Sequence, residues 1–125
     1  MKRKGIMTKE AGCTGPYSHA VDAGDYVFLS GQTPIDPATG EVVAGGITEQ
    51  TRQSFSNLFH VLEEAGLTSD DVQQVKVYLT DMANFDAMNA VYAEMFTKPY
   101  PARVTVGVTG LCGGALIEIE MLAKR

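Results

Sequence analysis

Two stretches near the C-terminus, Ala102-Arg103-Val104-Thr105-Val106-Gly107-Val108 and Ala115-Leu116-Ile117-Glu118-Ile119-Glu120-Met121-Leu122, decide the fold. Each alternates with the period of two that puts successive side chains on opposite faces of a β-strand. Val104, Val106 and Val108 fall on one side of the first stretch, and Ile117, Ile119 and Met121 on one side of the second. The pattern predicts that these apolar sets together meet a helical layer, while Arg103, Thr105, Glu118 and Glu120 share the opposite face. Residues 109–114, between them, include Gly110, Gly113 and Gly114 and read as a loop.

Working outward, the period changes to that of a helix. Phe55, Leu58, Phe59, Leu62 and Ala65 form a stripe in a segment starting at Ile47, with Thr48 expected to cap its start and Gly66 to stop it in the left-handed conformation. Val75, Val77 and Leu79 alternate with Lys76, Tyr78 and Thr80, which predicts a strand with one core face. A second helix is expected from Asn84, carrying Phe85, Met88, Val91, Tyr92, Met95 and Phe96 on one side and ending before Pro99. Residues 17–21 and 25–30 read as a hairpin turning at Asp22-Ala23-Gly24, and residues 2–7 as a short edge strand. Residues 31–46 read as a long excursion with a short strand at 41–43. The order ββ, α, β, α, ββ predicts one α+β domain over residues 1–125, with a mixed sheet and both helices on one face.

The chain has 125 residues and a net charge of −5. Lys2, Arg3, Lys4 and Lys9 precede Glu10, and Lys124 and Arg125 close the chain, so the span between carries only Arg52, Lys76, Lys98 and Arg103 against all fifteen acids, a net of −11. Binding nucleic acid through its phosphates needs a basic stripe, and this body lacks one, so no specific nucleic-acid partner is expected. The longest apolar runs, such as residues 26–29, span four residues, far short of a membrane helix. Lys2-Arg3-Lys4 is followed by Thr8, Lys9 and Glu10 where a signal peptide would be apolar, and a cytoplasmic location is expected. Cys13 and Cys112 have neither metal-site spacing nor the density of a disulfide scaffold, and are read as reduced thiols.

An uncovered polar face is the simplest reading of Arg103, Thr105, Glu118 and Glu120, and an Arg–Glu pair across strands would contribute about 0.2–1 kcal/mol there. The aromatic residues Tyr17, Tyr26 and Phe28 in the hairpin, and Leu116 and Leu122 beside the glutamates, argue instead that another subunit covers this face. Arg103 then lies in a partly dry cleft, where its planar guanidinium can hold a small carboxylate through two hydrogen bonds. Glu118 and Glu120 repel each other across one face, which favours a raised pKa and proton exchange with water. The bland alternative is that one glutamate merely pairs with Arg103.

Gly15-Pro16-Tyr17, Phe28-Leu29-Ser30-Gly31-Gln32, Leu79-Thr80-Asp81, Pro101-Ala102-Arg103 and Ile117-Glu118-Ile119-Glu120 follow one another in the order and spacing of the Rid family, the YjgF-type imine deaminases, and nearly the whole chain resembles it. The resemblance implies a chorismate-mutase-like fold, a homotrimer whose sheets form a central barrel, and ligand clefts between neighbouring subunits. It further implies hydrolysis of enamines and imines such as 2-aminoacrylate and 2-iminobutanoate to 2-keto acids and ammonia, with no metal or cofactor. By position, Arg103 matches the arginine that binds the substrate carboxylate and Glu118 the glutamate that positions the attacking water. Tyr17 matches a cleft tyrosine, and Ser30 and Gly31 match positions whose polar groups face the ligand.

Departures from the family pattern bear on that expectation. Thr105 stands where many relatives carry a cysteine, which leaves water activated by Glu118 as the nucleophile and puts Thr105 among the substrate-binding positions. Cys112 stands where relatives often have proline and is read as a small loop residue. His60 is expected at a helix boundary or surface, and His19, two residues from Tyr17, in a structural role. Two other functions are weighed: a regulatory trimer that binds small carboxylates without turnover, and a ribonuclease or translation inhibitor, which the acidic span opposes.

Overall fold

Alternating aliphatic residues make the two longest strands the centre of the sheet. The computed structural model describes residues 2–125 and has eight strands: β1 (Lys4–Ile6), β2 (Ala20–Asp22), β3 (Tyr26–Gln32), β4 (Ile35–Asp36), β5 (Glu41–Val42), β6 (Val72–Leu79), β7 (Ala102–Gly107) and β8 (Ile117–Lys124). Two α-helices, α1 (Ile47–Glu64) and α2 (Phe85–Met95), and three single 3-10 turns, Ser69–Asp71, Met82–Asn84 and Cys112–Gly114, complete it. Six strands form one sheet in the order β1-β2-β3-β8-β6-β7, and β4 and β5 form a separate ribbon. The β6–β7 pair, connected through α2, is parallel and the other pairs are antiparallel, so the sheet is mixed, as the element order predicts.

Register fixes the core face. Val75 pairs with Met121, Val77 with Ile119 and Leu79 with Ile117, and all six are buried. Paired residues point to the same side, so this side carries the helices. From α1, Phe55, Leu58, Val61 and Leu62 are almost wholly buried, each contributing about 1.5–3 kcal/mol relative to exposure. Phe55 meets Tyr92 and Phe96 with ring centroids 5.7 and 5.8 Å apart, which packs α2 against α1. Buried polar groups on α1 tie down the loops: Gln50 Oε1 accepts the Leu116 N–H at 2.8 Å, and Asn57 Nδ2 donates to the Ile35 carbonyl at 2.8 Å.

The helix ends show where local chemistry was legible. Gly66 lies at φ +75°, and Leu67 N–H and Gly66 N–H donate back to the carbonyls of Leu62 and Glu63, satisfying the last turn as expected. At the start, Gly46 caps the helix in place of Thr48: its N–H donates to Glu49 Oε2 at 3.0 Å, and Thr48 lies one residue inside. The first hairpin strand is shorter than expected, since β2 begins at Ala20 and residues 17–19 approach it as irregular chain.

The main correction concerns β7. It pairs with β6 so that Arg103 sits beside Val75 and Thr105 beside Val77, while Val104 and Val106 sit beside Lys76 and Tyr78. Arg103 and Thr105 therefore lie on the helix side and the valines on the outer face, the reverse of the expectation. Alternation within a strand defines two faces but not which one turns inward; the register with the neighbour decides that. No helix among the described residues is long and apolar enough to cross a membrane.

Candidate active site

Arg103 lies on the edge strand of the sheet, under the first turns of α2. Phe85, Asn89 and Tyr92 follow at helical spacing and form the wall against it. Arg103 Nη1 donates to Asn89 Oδ1 at 2.7 Å, and the guanidinium carbon lies 4.7 Å from the Tyr92 ring centroid and 5.6 Å from that of Phe85. Stacking on two rings and one neutral acceptor fixes the plane of the guanidinium without neutralising it. Among the described residues, ion pairs join Arg52 to Glu94 and Arg125 to Asp22, whereas Arg103 has none. An open cleft of about 330 Å³ lies beside it, lined by Asn89, Tyr92, Ala93, Tyr100, Pro101 and Arg103. Thr105 follows on the same face, and its Oγ1, like Tyr92 Oη, is buried without a hydrogen-bond partner among the described residues.

Glu118 and Glu120 occupy the other face. Their register partners are Tyr78 and Lys76, and Tyr78 Oη donates to Glu120 Oε1. That bond, with burial and the nearby carboxylate charges, pushes the Tyr78 hydroxyl up to about 12. Glu118 is half-buried; burial first, and the charge of Glu120 second, raise its carboxyl above the usual carboxylate value. A group so placed takes up a proton more readily than a free carboxylate.

Ser30 and Gly31 complete this second cluster. The ladder between β3 and β8 shifts between Leu29 and Gln32, so Ser30 and Gly31 form an irregularity directly beside Glu118. A Cβ on Gly31 would stand 2.9 Å from Glu118 Oε2, so a side chain here would displace the Glu118 carboxylate. Ser30 Oγ donates to the Ser18 carbonyl at 2.7 Å, and Tyr17, 37% exposed, accepts the Thr14 N–H on its hydroxyl at 3.3 Å. The residues expected to form the site thus fall into two groups: Glu118 with Gly31 and Ser30, the latter tied to Ser18 next to Tyr17 in the chain, and Arg103 with Thr105 on the opposite face. One chain does not bring Arg103 and Glu118 onto a common face.

Sequence reasoning overlooked Asn89 and Tyr78. Asn89 is a polar residue within the apolar stripe of α2, four after Phe85 and three before Tyr92, which is a visible signal. Tyr78 shares a face with the glutamates only through the β6–β8 register, which no local pattern announces.

Comparison with known proteins agrees with this architecture. The family model described as "Endoribonuclease L-PSP" matches residues 7–125. A RutC family protein of Pyrococcus horikoshii is 53% identical over 111 residues, covering 89% of this chain and 88% of the relative. A protein of Dermatophagoides farinae named 2-iminobutanoate/2-iminopropanoate deaminase is 42% identical over 108 residues, covering 86% of this chain and 84% of its own. Among solved structures, a Yersinia pestis protein of the conserved Rid family superimposes with a TM-score of 0.95 at 40% identity, covering 99% of this chain and 100% of the other.

Proposed function

The chain belongs to the Rid family, and from that premise we propose that it hydrolyses small reactive imines and enamines, such as 2-aminoacrylate and 2-iminobutanoate, to 2-keto acids and ammonia. The observation that carries this reading is the unpaired guanidinium of Arg103, stacked on Tyr92 and Phe85 and bonded only to neutral Asn89. In a body of net −11 between Glu10 and Ala123, a fixed cation without a carboxylate partner is a receptor for a small anion. The substrate carboxylate takes that place, with Thr105 Oγ1 and Tyr92 Oη as further donors.

Glu118 supplies the proton transfers. It accepts a proton from water as the water oxygen bonds to the imine carbon and the C=N π pair moves to nitrogen. It returns the proton to that nitrogen, then takes the hydroxyl proton of the resulting carbinolamine and passes it to the amine as the carbon–nitrogen bond breaks, so that ammonia leaves and the carbonyl remains. An imine carbon is already electrophilic, so orientation and one proton shuttle are the main requirements.

Because Arg103 and Glu118 lie on opposite faces of one sheet, this chemistry needs two copies of the chain. The outer face is suited to such an assembly: Tyr26, Phe28, Val104 and Val106 are 43%, 54%, 45% and 40% exposed and surround the glutamates. A homotrimer closed around these outer faces, with each cleft combining Arg103 of one subunit and Glu118 of another, is the assembly proposed. The test is turnover by a threonine dehydratase with semicarbazide present, which traps the released imine. The protein is expected to divert imine from semicarbazone to 2-oxobutanoate, and Arg103→Ala to lose about 10²-fold in kcat/KM. Equal trapping with and without the protein, or full activity in Arg103→Ala, overturns the reading.

A further inference from the structure

The imidazole of His19 is 1% exposed, and both its nitrogens are engaged. Nδ1 accepts the Thr8 backbone N–H at 3.1 Å, and Nε2 lies 2.9 Å from the Gly12 carbonyl. A backbone amide only donates and a carbonyl only accepts, so these partners place the ring proton on Nε2. A buried histidine satisfied in this way is commonly a structural residue. What distinguishes His19 is where its connections lead.

Its backbone carbonyl accepts the Ser30 N–H at 2.9 Å, and the preceding carbonyl, of Ser18, accepts Ser30 Oγ at 2.7 Å. Its ring meets the Tyr17 ring edge-on, with centroids 6.4 Å apart at 80°. From beyond the Ser30–Gly31 irregularity, Gln32 Nε2 donates to the same Gly12 carbonyl at 3.1 Å. The clamp therefore holds both sides of the Ser30–Gly31 irregularity beside Glu118, and Tyr17 is joined to it through its ring contact with His19. A Cβ at Gly31 would fall 2.9–3.3 Å from the end of the Glu118 side chain, so the backbone here passes close beside it. The position of this backbone sets the space beside the Glu118 carboxylate.

We propose that His19 is a positioning residue: by pinning residues 8–12 to residues 17–19 it holds Tyr17, Ser30 and Gly31 in the arrangement that Glu118 requires, without touching substrate. This rests on the imine hydrolysis proposed above. Arg103 and its wall of Asn89, Tyr92 and Phe85 lie on the other face of the sheet and share none of these bonds. Loss of the clamp accordingly falls on kcat and spares KM.

The experiment measures steady-state kinetics per mole of folded protein for His19→Leu, His19→Gln, Thr8→Pro and Thr8→Val. Leucine removes both bonds, and kcat falls about tenfold with KM within about twofold. Glutamine offers one acceptor and one donor and restores kcat to within about threefold of the parent. Thr8→Pro deletes the N–H that meets Nδ1 together with the hydroxyl that accepts the Glu10 N–H, leaves the buried ring in place and lowers kcat by about threefold, whereas Thr8→Val, which loses the hydroxyl alone, keeps the parent kcat, so the inference stays testable should His19→Leu not fold. Unchanged kcat in Thr8→Pro, a glutamine variant as slow as the leucine one, or a change confined to KM or melting temperature overturns it.

Amide and ring NMR separates this from the reaction itself. The Ser30 amide and Tyr17 ring signals are expected to move in Thr8→Pro and His19→Leu, and to stay in His19→Gln. If the parent protein hydrolyses no imine, the reaction fails while these signals still read the clamp. If they stay in Thr8→Pro and His19→Leu, the positioning role fails whether or not the parent is active.

Discussion

At the scale of single residues, the proton-transfer role proposed for Glu118 couples chemistry to stability with opposite signs. Its carboxyl is raised by burial and by Glu120, so the folded chain holds the Glu118 proton more tightly than the unfolded chain does. Ionising it between acid and neutral pH therefore costs stability, and the cost is absent below the ordinary carboxylate range. Glu118→Gln is expected to melt at a higher temperature than the parent at pH 7, with the difference closing as the pH falls below about 4, while kcat drops about 10²-fold. Melting curves across pH check the sign; a glutamine variant that melts lower at neutral pH would show that the charged carboxylate is held by favourable contacts. Thr105 presents a similar opposition. Its Oγ1 is buried without a partner among the described residues, so Thr105→Val is expected to gain about 1 kcal/mol in chemical denaturation and, with the proposed donor to the substrate carboxylate removed, to raise KM.

At the scale of elements, local chemistry and tertiary register divide the work. The stop of α1 is local: Gly66 at φ +75° lets two backbone N–H groups reach the last carbonyls, and Leu67 is buried behind it. Gly66→Ala should cost about 1 kcal/mol in urea unfolding without altering KM, since it lies away from both halves of the site. α1 starts at Ile47 as its period predicts, but its cap lies two residues before Thr48, because Gly46 has no side chain to advertise a cap and the Glu49 carboxylate closes the first turn from inside. The apolar stripes of both helices and the alternation of β6 and β8 were legible, since each is decided by burial of one face. β7 was not. With Val104 and Val106 on one side and Arg103 and Thr105 on the other, either side is a plausible interior, and only pairing with β6 chooses.

At the scale of the whole molecule, the outer face makes a single chain look unfinished. Four large apolar side chains are 40–54% exposed around a pair of carboxylates and a tyrosine, while the candidate carboxylate receptor lies on the far side. If each cleft takes Arg103 from one subunit and Glu118 from another, two inactive variants should repair each other. Arg103→Ala and Glu118→Gln chains, unfolded together at equal amounts and refolded, are expected to recover about a quarter of the parent activity, because chance assembly pairs an intact Arg103 with an intact Glu118 in that fraction of clefts. Activity no greater than that of either variant alone would place the working pair within one chain.

The sequence by itself determined the elements, their order and the helical layer, because amphipathic periods and turn residues act over a few neighbouring positions. It also supplied Arg103, Glu118, Tyr17, Ser30, Gly31 and Thr105 as candidates, through chemistry and ordered motifs. Only the tertiary structure decided which of them meet. Gly31 lies against Glu118 through a shift in the β3–β8 ladder, and Arg103 turns toward Asn89 and Tyr92 through its parallel pairing with β6. Those are relations between strands distant in sequence, where a displacement of one residue reverses every side chain and leaves the alternating pattern unchanged.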